Sequence, residues 1–173
     1  MGVNPVIAIF FGGDFMYKVG DYVIYNHDVC KIIGLNSFRN RDYYVLNSNI
    51  DLSLKINVPI DNCNIRNLIS RHDIEELIKR IPSISVIDID SKNIDTLYKS
   101  LINDGSYDSL ISIIKTSYLI NKERVANNKK VRDKDLYYFK LAESYLYNEF
   151  SIVLGMNYDE VREYVVSEVS KLV

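Results

Sequence analysis

The sequence predicts an α+β chain in which a small, strongly bent antiparallel β-barrel precedes an all-α helical bundle. Three observations carry this. Short β-branched and aromatic runs separated by turn-rich clusters fill residues 17–69. From Ser70 onward the apolar period lengthens to that of a helix. Between the two regimes stands Ile81-Pro82, followed by a stretch with little periodicity.

Taken in order, the β-runs are Val19, Tyr22-Val23-Ile24-Tyr25, Val29 to Leu35, Tyr43 to Leu46 and Leu52 to Val58. Asn26-His27-Asp28, Asn36 to Asp42 and Asn47-Ser48-Asn49 supply the turns. Leu52, Leu54, Ile56 and Val58 alternate with Ser53, Lys55 and Asn57, the pattern of a strand with one buried face. Pro59 has no amide donor for a ladder and ends that run. Some five short strands in about fifty residues suggest an SH3-like or Tudor-like barrel.

Ser70-Arg71-His72-Asp73 has the composition of a helix start, with Ile74, Leu77 and Ile78 on one face. Four further stripes follow. Ile94, Leu97, Tyr98 and Leu101 end at Asp104-Gly105; Tyr107, Leu110, Ile111, Ile114 and Tyr118 make the second. Leu136, Phe139, Ala142, Leu146, Phe150 and Val153 share a long helix with a second apolar face, Tyr138, Leu141, Tyr145 and Ile152, which makes it the central one. Val161, Val165, Val169 and Leu172 supply the last. The expected organisation is an upstream extension over 1–15 outside the native fold, a β-module with a terminal helix over 16–82, a linker over 83–90 and a helical bundle over 91–173.

Composition excludes several classes of function. Net charge is −2, so any nucleic-acid contact must come from a local patch. Val3 to Phe11 is apolar, yet too short for a membrane span and without the basic head of a signal peptide. Cys30 and Cys63 form no zinc spacing, and His27 and His72 lack a ligand partner at ligand spacing; a reduced, cytoplasmic protein without a metal or cofactor is the expectation. Gly12-Gly13 is not set in a phosphate loop, and no nucleophile motif or paired catalytic carboxylate is present, so no enzyme and no small-molecule substrate are expected.

Five segments taken together resemble the CarD family: Tyr17-Lys18-Val19-Gly20-Asp21-Tyr22-Val23-Ile24-Tyr25, Val29-Cys30-Lys31-Ile32, Tyr43-Tyr44-Val45-Leu46, Ile56-Asn57-Val58-Pro59 and Ile65-Arg66-Asn67-Leu68-Ile69-Ser70. That family shares its β-module with the polymerase-binding domain of the transcription-repair coupling factor. The second half is also similar, with Leu101 to Gly105 as a short helix ending in glycine and Val131, Asp135, Phe139, Ala142, Leu146, Glu149 and Phe150 at the spacing of a long helix. The resemblance implies a bacterial transcription regulator that binds the RNA polymerase β subunit by edge-strand addition. It places the contact on Lys55, Ile56, Asn57 and Val58. Well-known members carry arginine where Asn57 stands, and Arg39 or Arg41 in the preceding loop is the expected substitute.

The resemblance also implies that the helical domain touches promoter DNA at the upstream fork. Characterised members wedge a tryptophan into the minor groove there. This chain has no tryptophan, and the corresponding position falls between Ile89 and Ser91, so wedging is not carried over. Residues 115–140 hold eight basic side chains against three acidic ones, whereas 141–173 hold two against six. Lys115, Lys122, Arg124, Lys129, Lys130, Arg132 and Lys134 are therefore the candidate phosphate contacts. The alternative reading is a polymerase-bound protein-interaction adaptor that does not touch DNA.

Overall fold

The computed structural model describes residues 17–62, 64–88 and 93–173. Five strands form one antiparallel sheet: β1 (Tyr22–Tyr25), β2 (Asp28–Phe38), β3 (Arg41–Ser48), β4 (Lys55–Pro59) and β5 (Ile65–Arg66), in the order β4-β3-β2-β1-β5. Two of its hairpins are as tight as hairpins become. Asn26-His27 joins β1 to β2 with φ of 49° and 72°, and Arg39-Asn40 joins β2 to β3 with φ of 50° and 58°. Both are two-residue turns with positive φ at each central residue, the twist that matches the flanking strands. Asn36 to Asp42, expected to be a loop, is therefore mostly strand; its polar residues sit on a hairpin stem that projects into solvent.

A register shift between Ile32 and Gly34 bends β2 and turns its alternation over. Before it, Cys30 and Ile32 face inward; after it, Leu35 lies opposite Tyr44. Val23, Cys30, Ile32, Tyr44, Leu46 and Val58 make the barrel core, with Tyr17 edge-on to Tyr44 at 5.8 Å between centroids. The alternation at Leu52 and Leu54 does not become strand. Asp51 accepts from the Ser53 amide and hydroxyl, and its carbonyl accepts from Leu54 N–H, so 51–54 closes as a turn and leaves Leu52 73% exposed. A period of two cannot distinguish a strand from a turn that its own side chains stabilise. Val19, expected in a strand, also lies outside the ladder and is exposed.

Five helices follow: α1 (Arg71–Arg80), α2 (Ile94–Asp104), α3 (Tyr107–Ala126), α4 (Asp133–Leu154) and α5 (Tyr158–Ser170). Their starts follow from the sequence. Ser70 caps α1 through the Asp73 amide, Ser106 caps α3 through Ser109, and Asn157 forms a reciprocal capping box with Glu160. Ile81–Ser83 tightens into a 3-10 turn at Pro82. The helix α1 presents Ile74, Leu77 and Ile78 to the same core as α2–α5, so its apolar face packs on the helices rather than on the barrel. As expected for the central helix, α4 packs against α1, α2, α3, α5 and β2. Tyr118 and Leu136, assigned to apolar stripes, are 58% and 37% exposed instead.

The barrel and the helices meet at the β1–β2 turn. The His27 ring packs on Tyr145 of α4 and lies over Gly105, the left-handed cap of α2 at φ 63°. A Cβ on Gly105 would stand 1.9 Å from His27 Cε1. Gly105→Ala should therefore lose about 2 kcal/mol in denaturant unfolding, from φ strain and the collision together. His27→Ala in that background should recover the collision part, and no recovery would separate the two residues.

Candidate docking edge and its link to the helical bundle

Among the described residues, the sheet order leaves β4 with a partner on one side only. Its ladder with β3 pairs Tyr44 with Val58, Val45 with Asn57 and Leu46 with Ile56. Hydrogen bonds from Ser48 N–H to Leu54 C=O (3.3 Å) and from Ile60 N–H to Asp42 C=O (3.0 Å) bracket the strand and set its phase. Antiparallel ladders alternate bonded and non-bonded pairs, so the even-numbered residues spend their main chain on β3. Lys55 and Asn57 then direct N–H and C=O away from the sheet, and Pro59 adds a carbonyl.

The four residues expected at the contact thus divide. Val58 is 1% exposed in the barrel core and Ile56 is half-buried against it. Lys55 and Asn57 are exposed in side chain as well as open in main chain. Arg39 occupies the β2–β3 turn, its guanidinium carbon 5.1 Å from the Phe38 ring centroid. Arg41 is spent on Asp61, at 2.9 Å, which lies just beyond β4. That pair is solvent-exposed on both sides and contributes little to stability; it holds the end of β4 against the start of β3.

At the opposite end of the sheet from β4, where β5 lies, is a buried carboxylate. Glu149 on α4 is 1% exposed. It accepts two bonds from Arg66 of β5 (2.9 and 3.0 Å), one from Tyr107 Oη of α3 (2.9 Å) and one from Ile69 N–H just before α1 (2.8 Å). Four donors satisfy both oxygens, the condition on which a buried charge is tolerated. Burial, reinforced by the Glu149 charge, holds the Tyr107 phenol above its ordinary pKa, so it remains a donor. Arg66 and Glu149 are 83 positions apart, and nothing in their separate sequence contexts pairs them. The available signal was a glutamate set between Leu146 and Phe150 of the apolar stripe, where an unpartnered acid would be costly.

The basic candidates of 115–140 also divide. Lys115 Nζ donates to the carbonyls of Ile81 (2.9 Å), Pro82 (3.2 Å) and Ile84 (2.5 Å), closing the end of α1 and its 3-10 turn. Arg132 forms a bidentate pair with Asp135, which is 0% exposed; Lys134 pairs with Asp95, and Arg124 Nε donates to the Lys130 carbonyl at 2.7 Å. Lys122, Lys129 and Lys130 are exposed, and among the described residues no ion pair involves them. Lys115→Met should therefore destabilise the fold by about 2 kcal/mol, because three carbonyls lose a charged donor. Thermal unfolding measures this, and an unchanged melting temperature would show the contact to be idle.

Cys30 is buried in the barrel, and burial pushes its thiol up to about 11, which makes it unreactive at neutral pH. Cys63, residues 1–15 and the position between Ile89 and Ser91 lie outside the described residues. Among the described residues no three His, Cys, Asp or Glu side chains gather as a metal site, and no helix is long and apolar enough to cross a membrane.

No curated protein sequence matches the chain. The family model described as CarD-like/TRCF RID domain matches residues 17–72, from Tyr17 against the barrel core to the first turn of α1. A Tudor-like barrel is what that domain requires, and the five-stranded sheet followed by helices agrees with it. Residues 17–72 thus match a CarD-like/TRCF RID domain, which supports a CarD-like assignment for that part of the chain.

Proposed function

We propose that this chain binds RNA polymerase, on its β subunit, by adding β4 as an edge strand to the polymerase and carrying the helical bundle with it to the upstream fork of the promoter. The observation that supports this most is the unpaired outer edge of β4, where Lys55 and Asn57 offer both main-chain groups and exposed side chains. Such an edge invites strand addition, in which the backbone supplies affinity and alternate side chains supply register. The Glu149 network ties the module to the bundle, so docking fixes where the helices go. Lys122, Lys129 and Lys130 are the cations left to meet DNA phosphates, which would shift the balance between closed and open promoter complexes. Biolayer interferometry of the full chain against the polymerase β lobe tests the docking, and absence of binding overturns it.

A second reading has its own support. Lys115, Arg124, Arg132 and Lys134 are engaged inside the protein, which leaves a thin basic patch and favours an adaptor that contacts polymerase without DNA. Electrophoretic shift on fork-junction DNA with Lys122, Lys129 and Lys130 changed to alanine separates the two. DNA contact predicts a shift that the triple variant loses, with the dependence of log K on log salt flattened by up to roughly 3. A shift the variant leaves unchanged favours the adaptor.

A further inference from the structure

We propose that the outer face of the sheet over β2, β3 and β4, which shares Lys55 and Asn57 with the docking edge, is a binding surface for single-stranded nucleic acid, separate from the basic patch of the helices. Cross-strand register fixes which side chains share that face. Tyr22, Lys31, Asn47 and Lys55 form one row across four strands; Gly34, Val45 and Asn57 form the next; Asn36, Tyr43 and Pro59 the third; Phe38 and Arg41 the last. Four strands at the usual spacing make the first row roughly 14 Å wide.

Three properties of this face point to an unpaired polyanion. Its cations are uncompensated: Lys31, Lys55 and Arg39 have no carboxylate partner among the described residues, and Asp61 at the rim is taken by Arg41. No outward position of β2, β3 or β4 carries a carboxylate. Its rings lie beside those cations, with Lys31 Nζ 5.4 Å from the Tyr22 centroid and Arg39 stacked at Phe38, itself 59% exposed. Gly34 has no side chain to fill the centre, and a Cβ there would meet nothing nearer than Val45 at 3.8 Å. The floor is therefore low between ringed and charged margins. The same face continues into Ile24 and Val29, which are buried, and α4 packs against β2 to wall that side. Phosphates are held by cations and unpaired bases by exposed rings, and bases inside a duplex cannot reach such rings.

The test is fluorescence polarisation of the full chain with fluorescein-labelled 12-nucleotide oligo(dT) and oligo(rU), and with a 12-base-pair duplex, at low salt. Both single strands are expected to bind more tightly than the duplex. Lys31→Glu and Phe38→Ala are each expected to weaken single-strand binding roughly tenfold. Lys99→Ala, at an exposed lysine of α2 outside both surfaces, should leave it unchanged. Lys31 and Phe38 are both exposed and outside the barrel core, so the melting temperatures of these two variants stay near the wild-type value and show that they fold. The proposal is overturned by absence of single-strand binding, by equal or tighter duplex binding, or by indifference to both sheet variants. An acidic polypeptide such as poly-Glu displacing nothing supports it; poly-Glu binding the face in preference to either oligonucleotide overturns it in favour of an acidic protein partner.

Discussion

Glu149→Ala is expected to lower the stability of the chain by about 3 kcal/mol, the largest loss from any single side chain at the junction of barrel and helices. The reason lies in what it leaves behind. The Glu149 side chain is 2% accessible, and its removal strands the Ile69 amide and the Tyr107 hydroxyl without an acceptor. Each orphaned donor costs on the order of 1–3 kcal/mol. Arg66 adds less, because its side chain is 43% accessible and water can solvate the freed guanidinium. The melting temperature should fall by roughly 10 °C, from the usual relation between stability and melting temperature for a chain of this size. Arg66→Ala alone should cost less than Glu149→Ala. The double variant should cost less than the sum of the two, because they share one network. A Glu149→Ala protein that melts within a degree or two of wild type would show that the hub does not hold the halves together.

Asn57→Pro should weaken polymerase docking by roughly ten- to a hundred-fold while barely changing the stability of the free chain. Proline removes an amide, and on β4 the Asn57 amide points away from β3 and binds nothing within the barrel. The loss therefore falls on the added strand, whose carbonyl is left unsatisfied in a newly buried position. Ile56→Pro is the matched control: it removes an amide that β3 uses and should destabilise the barrel itself. Affinity and unfolding measured on both variants read the phase of the strand directly. If Asn57→Pro docks as tightly as wild type, the outward amide is not part of the contact. If instead it melts well below wild type, the assigned phase of β4 is wrong.

The two expectations rest on different kinds of information. Strand runs, the Ser70 and Asn157 starts, the Gly105 stop and the central place of α4 are local patterns, and they were legible because caps and periods act within a few residues. The extent of β4 was less so: Asp51 and Ser53 hold a turn where leucine alternation reads as strand. Basic residues were legible as charge but not as employment. Lys115 reads as a phosphate contact until the chain brings three carbonyls of the α1 end to its ammonium.

By itself, then, the sequence determined the α+β class, the order of its elements and the five segments that mark residues 17–72 as CarD-like. Only the tertiary structure decided that β4 stands at an edge of the sheet, which of its residues face out, and that Arg66 meets Glu149 across 83 positions. The division has a physical cause. Periodicity and capping are set by neighbours in the chain, whereas edges, register and buried charge pairs are set by contacts whose partners the chain order does not name.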